Sequence, residues 1–323
     1  MSRAPVTLQI NLAPSDFRHA QFLLPHQLAV WRGQVDEILL VVDFHRSPGR
    51  FSDRWEEGKT RIGELARAQS GARLIEVDYS PAARQRVADD FFGGRRVPEK
   101  DFRGGPYYAY FFGLNAASHD RVLHTDSDMF FGGGSQSWIA EADALFAARP
   151  EVIFSAPHPG PRAPDGALHS QPAVADSLAR EGFRFDSMST RLFYFHRSRI
   201  RERIGPLSPS PPPEWRNRLK ARIENNPVAD LPEHLFTRQM RLRGLCRVEF
   251  LGRSPGMWTL HPPYRGADFY ARLPELIARV ESGDIPARQR GNHDFNSSMV
   301  DWSEGIAALR TNRWWRRLYR RFR

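Results

Sequence analysis

The sequence predicts an α/β protein with a mostly parallel central sheet and helices on both faces. Three observations carry that prediction. Short apolar runs alternate with helix-patterned segments through the first 125 residues; several of those runs end in an acid; and the fourth feeds two aspartates one residue apart, Asp126 and Asp128, followed by the glycine turn Gly132-Gly133-Gly134. Strands alternating with helices imply parallel pairing, and in such sheets ligands bind beyond the carboxyl ends of the strands. Asp43, Asp78 and the Asp126/Asp128 pair all fall at those ends.

Taken in order, Val6–Leu12 alternates as a strand does, and residues 20–34 follow with Leu23, Leu24, Leu28 and Trp31 at helical spacing. The continuous run Ile38–Val42, closed by Asp43, reads as a buried parallel strand. Residues 54–69 form a helical pattern, 74–78 a third strand ending in Asp78, and 81–92 a further helix. Gly104-Gly105 precede an aromatic-rich helix over 107–117 that leads to the strand at 121–125. The second half is less regular. Residues 157–172 read as a loop, 191–196 as a strand, and the proline-rich 205–213 as an exposed, mobile break. A helix over 232–243 is closed by Gly244, and 248–251 and 257–260 are short strands. No internal repeat is present.

Composition narrows the class. The chain has 323 residues, 41% hydrophobic and 26% charged, enough for a sizeable core and ordinary for a globular protein. One cysteine, Cys246, excludes an internal disulfide framework and any multi-cysteine zinc site, and suits a reducing compartment. No run approaches the length of a membrane span and Met1–Pro5 lacks the apolar core of a signal peptide, so a cytoplasmic protein is expected, peripheral at most on the inner face of a membrane. The net charge is +10, but residues 310–323 hold seven arginines and no acid, so most of the excess describes that tail.

Asp126 and Asp128 lie at i and i+2 of an extended segment, so their carboxylates can converge, which is unfavourable unless a cation sits between them. Hard divalent ions such as Mg²⁺ or Mn²⁺ take such oxygen sites and leave positions open for phosphate oxygens. Gly252-Arg253-Ser254-Pro255-Gly256 matches a hydrolase nucleophile pattern, but the oxyanion hole needs the N–H of the residue after the serine, and Pro255 has none.

With these residues in view, the chain resembles a glycosyltransferase of the GT-A fold, nearest in layout to the family 2 enzymes. The resemblance rests on Val6–Asn11 as opening strand, Asp43 closing the second, the Gly105…Gly113-Leu114-Asn115 helix, Leu123–Asp128 as the "DXD" motif, and Glu233…Leu235…Arg238…Gly244 as the acidic helix; it covers about residues 5–265. The arginine usual before the motif is missing, with Tyr110 nearby, and Glu233 is followed by His234 where the family has a Glu-Asp pair. The resemblance implies a metal held by Asp126, Asp128 and His261, with Asp128 binding directly and Asp126 through water or on the ribose hydroxyls. It also implies donor contacts from Asn11, Asp43, Asp78, Asp126 and Arg265, with Asp43 accepting a base N–H. Glu233, with Asp230 as substitute, would be the general base, although an acid at a helix start is also favoured by the helix dipole.

The expected reaction is transfer of a sugar from a UDP or GDP donor to a glycan or lipid-linked hydroxyl, with inversion. The domain would occupy 1–305, its donor half about 1–135 and its acceptor half about 136–305, with a basic tail over 306–323. In that tail Trp314, Trp315, Leu318, Tyr319 and Phe322 recur at helical spacing among the arginines, which favours an anionic lipid surface over nucleic acid. A nucleotidyltransferase on a similar sheet and a basic nucleic-acid-binding protein are the rival classes.

Overall fold

A computed structural model of the chain describes residues 4–46, 55–169, 171–176, 179 and 181–311. In chain order the first half contains β1 (Val6–Leu12), α1 (Phe17–Trp31), β2 (Glu37–Val42), α2 (Trp55–Arg67), β3 (Arg73–Glu76), α3 (Pro81–Phe92), α4 (Tyr108–Ala116) and β4 (Arg121–Asp126). The second contains β5 (Phe130–Gly132), α5 (Trp138–Ala148), β6 (Val152–Pro159), β7 (Val174–Asp176), β8 (Gly182–Phe185), β9 (Leu192–His196), α6 (Arg197–Arg203), α7 (Trp215–Ile223), α8 (Pro232–Arg243), β10 (Cys246–Phe250), β11 (Trp258–Leu260), α9 (Ala267–Ser282) and α10 (Ser303–Thr311).

The main sheet runs β3-β2-β1-β4-β9-β6-β10-β8-β7, with β11 joining β6 to β5 at one side. β1, β2, β3 and β4 are parallel, as are β6 and β10, while β9 runs antiparallel between β4 and β6. The expected α/β class, mostly parallel sheet and helices on both faces, is present. Alternation in the strands explains the layers. Val6, Leu8, Ile10 and Leu12 of β1 pack with Ile38, Leu40 and Val42 of β2 against α1, α2 and α5. Leu39 and Val41 point the other way, into a second core built on α3, α4, α6 and α8. On that second face α4 approaches so closely that a Cβ on Gly113 would lie 2.1 Å from the Gln9 amide nitrogen, so any larger residue there would have to displace the buried Gln9 side chain. A third core joins α9 to β5, β11 and the segment around Phe295–Trp302.

Several expectations needed correction. The proline-rich 205–213 is not a free break: Leu207 and Pro212 are buried, the Leu207 N–H donates to Phe91 O, and Ser210 O accepts from Asp230 N–H. Proline-rich backbone needs few internal hydrogen bonds, so it can be pinned by two such contacts. The loop expected from residue 157 starts later, because β6 runs through Pro159 beside β10 and β11, where a buried parallel strand tolerates no alternation signal. β3 ends at Glu76, two residues short of Asp78. Helix α8 and its left-handed cap Gly244 (φ 64°) match the sequence reading. The apolar pattern expected over 314–322 lies outside the described residues.

Candidate active site at the carboxyl end of the sheet

β1, β2 and β4 deliver Asn11, Asp43 and Asp126 to one edge: Asn11 pairs directly with Asp126 across β1 and β4, and Asp43 follows the last residue of β2. Beyond that edge lies a cleft of about 160 Å³ lined by Asn11, Ser15, Asp16, Asp43, Trp55, Lys100, Gly104, Asp126, Ser127, Asp128 and Arg265. Five residues singled out in the sequence, Asn11, Asp43, Asp126, Asp128 and Arg265, line this cleft together. A larger surface hollow of about 650 Å³ sits between α3 and α6, but Arg197 and Arg201 there are already bonded to Asp90.

Asp128 is the most constrained carboxylate in the cleft. Its Oδ2 accepts from Arg265 Nη2 at 2.5 Å and lies 3.6 Å from His261 Nε2. Its Oδ1 is buried with no hydrogen-bond partner among the described residues. Burial alone would raise its pKa, yet Arg265 first and then His261 and His19 hold it below the usual carboxylate range. Asp126 behaves in the opposite way: partial enclosure in the cleft, then the neighbouring Asp128 charge, push it up, an effect that solvent moderates because its side chain is 39% exposed. Its Oδ1 lies 3.3 Å from Nε2 of His124, which burial keeps neutral, lowering its pKa to about 3. Asp16, 3.9 Å from Arg265 Nη1, is raised to about 6, chiefly by burial.

His261 is held from behind. Its N–H donates to His293 O (3.0 Å), its carbonyl accepts from Phe295 N–H (3.0 Å), and its Nδ1 lies 3.1 Å from Asp294 Oδ1. An ionised carboxylate only accepts, so Nδ1 carries a proton toward Asp294 and Nε2 is the nitrogen turned toward Asp128. Asp294 is kept ionised because His261 and Arg191 together outweigh its burial. Arg191 Nη1 reaches the same oxygen at 3.3 Å.

The orphaned Asp128 oxygen, the raised Asp126 and the oriented His261 fit a divalent cation in donor chemistry. The three do not, however, form the ready triad the sequence suggested. Among the described residues no three His, Cys, Asp or Glu side chains gather closely enough to hold an ion alone. Arg265 occupies one Asp128 oxygen and His124 engages Asp126, so the remaining ligands of an ion would come from elsewhere.

Other candidates fared unevenly. Asp43 lines the cleft, but it already accepts from Lys100 Nζ (2.7 Å), Tyr79 OH (3.1 Å) and its neighbour His45 N–H (2.9 Å). With about four lone-pair sites on a carboxylate, one remains for a ligand. Asp78 is a correction: it is exposed outside the cleft and its carboxylate accepts from Ser80 N–H, because β3 stops before it. Asp230 is a second correction. It is 3% exposed and bound to Leu231 N–H and to His234, so it cannot meet an acceptor. Glu233 begins α8 partly exposed; Thr190 Oγ1 donates to its Oε2 (2.9 Å) and Arg103 Nη2 lies 4.0 Å from Oε1. Thr190 O in turn accepts from Tyr110 OH, and the Tyr110 ring packs on His124 at 4.4 Å between centroids. Contacts therefore run continuously from Glu233 to Asp126. Lys100, Tyr79, Asp16, His19, Arg191 and Asp294 were missed in the sequence, because their partners lie far away in the chain and no local spacing marks them.

No protein-family model and no curated protein matches the chain. Solved structures do. TarS 1–349 of S. aureus in complex with UDP is 9% identical over 88% of this chain and 68% of that one, with a TM-score of 0.41. Glucosyl-3-phosphoglycerate synthase from Mycobacterium tuberculosis, solved with Mn²⁺, UDP and phosphoglyceric acid, is 13% identical over 86% and 77%, at 0.36. The mannosyltransferase PcManGT from Pyrobaculum calidifontis, with GDP-Man and Mn²⁺, is 14% identical over 78% and 59%, at 0.35. These are distant likenesses, and the reading below rests on the chain's own residues.

Proposed function

We propose that the protein is a metal-dependent glycosyltransferase of the GT-A type that moves a sugar from a nucleoside diphosphate donor to a hydroxyl acceptor. The observation that carries this reading is the buried, unpartnered Asp128 oxygen beside Asp126 at the carboxyl end of a parallel sheet, in a cleft that also holds Asn11, Asp43 and Arg265. Two unreconciled carboxylates and one arginine suit a ligand that brings both a cation and phosphate oxygens. Asp128 with His261, and Asp126 at the rim, would hold Mn²⁺ or Mg²⁺, which supplies charge neutralisation of a departing diphosphate. Arg265 adds positive charge for the phosphates. Asn11 and the free Asp43 lone pair orient the nucleoside. Glu233, beside Arg103 and connected to Asp126 through Thr190, Tyr110 and His124, would take the acceptor hydroxyl proton on a carboxylate oxygen, which suits direct displacement with inversion.

The donor side comprises about residues 1–135 and the acceptor side about 136–305. The acceptor is a glycan or lipid-linked hydroxyl, and the arginine-rich 310–323 supports attachment to an anionic membrane surface. A panel of UDP- and GDP-sugars incubated with Mn²⁺ tests the reading. Release of a nucleoside diphosphate, abolished by chelation and restored by added metal, is the expected result. Release of pyrophosphate would assign a nucleotidyltransferase instead, and turnover indifferent to chelation would end the metal assignment.

A further inference from the structure

Helix α7 lies on the acceptor side and was not anticipated in the sequence. Ala221 points inward, fully buried against Phe102 and Leu231, with Val228 beside them. The loop that carries Phe102 also supplies Lys100 and Gly104 to the cleft wall, and it is tied to the same region by Phe102 N–H donating to Ala229 O at 2.8 Å. The helix is thus docked on the loop that forms part of the wall of the candidate active site.

Its outer face is unusual for a surface helix. Trp215 is 66% exposed and Leu219, one turn later, 41% exposed, so a large aromatic and an aliphatic side chain stand in line facing solvent. Arg216, Arg218 and Arg222 flank that line, while Lys220 turns inward over the Phe102 ring (5.8 Å) and toward Glu224 (3.8 Å); no residue of the helix itself is acidic, and the exposed Glu214 precedes it. An apolar stripe ending in tryptophan and bordered by cations is the pattern of a helix that lies in a lipid headgroup layer, where indole sits at the interface and arginine stems extend to phosphates. A protein partner would be expected to meet a broader apolar patch, and a single-stranded nucleic acid a row of aromatics; here one tryptophan and one leucine are framed by three arginines.

We infer that α7 is a membrane-contact surface that seats the acceptor side of the cleft on an anionic bilayer. The occupant is a bilayer bearing anionic headgroups, favoured by the charge complementarity of the helix. The surface stands whatever the enzyme transfers; its consequence, that the acceptor is presented from the membrane, rests on the sugar-transfer reading. It is also separate from the arginine-rich tail, because it uses residues packed on the cleft wall.

The full-length chain suits a direct test, since its single cysteine, Cys246, is buried and leaves introduced cysteines free for selective labelling. Leu219→Cys carrying an environment-sensitive fluorophore is mixed with vesicles of phosphatidylcholine alone or with equal parts of phosphatidylglycerol. Val174→Cys, at an exposed position (69%) on the edge strand β7, is the control. The expected result is a blue shift at position 219 on anionic vesicles only, with position 174 unchanged, and binding about tenfold weaker in Trp215→Glu/Leu219→Glu. Equal shifts at both positions, or vesicle binding with no response at 219, would overturn the proposal, since attachment would then be unoriented or run through another segment. A shift with an oligonucleotide but not vesicles, or a concentration-dependent shift without lipid, would assign α7 to nucleic acid or to a second copy of the chain. Turnover of a water-soluble acceptor by the double variant reports separately on the transferase reading and is expected to be unchanged.

Discussion

Glu37 and Asp126 stand at opposite ends of the same parallel strands and meet opposite fates. Glu37 opens β2 opposite Thr7, at the amino end of the sheet; Asp126 closes β4 opposite Asn11, at the carboxyl end. Burial works against ionisation at both. At Glu37 it is overcome by hydrogen bonds from Thr7 Oγ1 (2.6 Å), Ser118 N–H (2.9 Å), Ser118 Oγ (2.8 Å) and Arg73 Nε (2.8 Å), which hold the carboxyl down at about 2. At Asp126 partial burial is reinforced by the Asp128 charge, the two together outweighing His261, Arg191 and Arg265, and the hydrogen-bond partner of its carboxylate is the neutral His124 at 3.3 Å. A carboxylate that the fold needs is saturated by the fold; one left in conflict is waiting for something the fold does not contain.

The largest expected effect breaks the carboxyl end. Asp128→Ala removes the orphaned oxygen and should lower kcat/KM by about 10³-fold, near 4 kcal/mol of transition-state stabilisation. Asp126→Asn should also cost activity while leaving the thermal midpoint unchanged or higher, because it removes a like-charge conflict. A variant of Asp126 that is both fully active and less stable would make this carboxylate structural and erase the contrast with Glu37.

Within the cleft, Asp43 tests whether the distinction is one of position alone. It belongs to the carboxyl end yet is paired with Lys100, and both side chains are under 10% exposed, at 8% and 6%. Lys100→Met would leave a buried carboxylate held by Tyr79 and one backbone N–H. The expected loss is about 3–5 kcal/mol in urea unfolding, with a raised KM for the donor. A loss of stability without any change in donor KM would mark Asp43 as scaffold despite its place in the cleft.

Legibility in the sequence follows the same divide. The strand runs 6–12 and 38–42, the Asp126/Asp128 pair and helix 232–243 with its Gly244 cap were readable because each is a local pattern of period or turn chemistry. Asp78 misled because the apolar run continues past the point where β3 stops pairing with β2 at Glu76. Asp230 misled because its neighbour Leu231 and His234, four residues on, claim its carboxylate, a local use that an acid before a helix start equally allows. Lys100, Arg191 and Asp294 left no trace at all: Asp294 meets His261 from 33 residues away and Lys100 meets Asp43 from 57. Chain pairing supplies that information, and composition does not.

Asp294 gives a smaller and more selective effect. Asparagine in its place can turn an N–H toward His261 Nδ1, which would move the imidazole proton to Nε2, the nitrogen beside Asp128 that a cation would need free. Asp294→Asn should weaken Mn²⁺ binding, titrated without substrate, by about 10–100-fold and lower activity in proportion, with saturating metal restoring part of it. Unchanged Mn²⁺ affinity would show that His261 does not contribute a ligand.

The smallest effect lies at the amino end and is visible only in acid. The folded pKa of Glu37, about 2, is below its ordinary 4.5, so its contribution to stability is complete above about pH 4.5 and declines as the pH falls through that window toward 2. Glu37→Gln should therefore lower the thermal midpoint near neutrality, converge with the parent chain as the pH approaches 2, and leave turnover untouched, since Thr7, Ser118 and Arg73 lie a full strand length from the cleft. Denaturation curves that stay parallel from pH 7 to acid would show that Glu37 contributes no proton-linked stability. The saturated end of the sheet would then be no better resolved than the conflicted one.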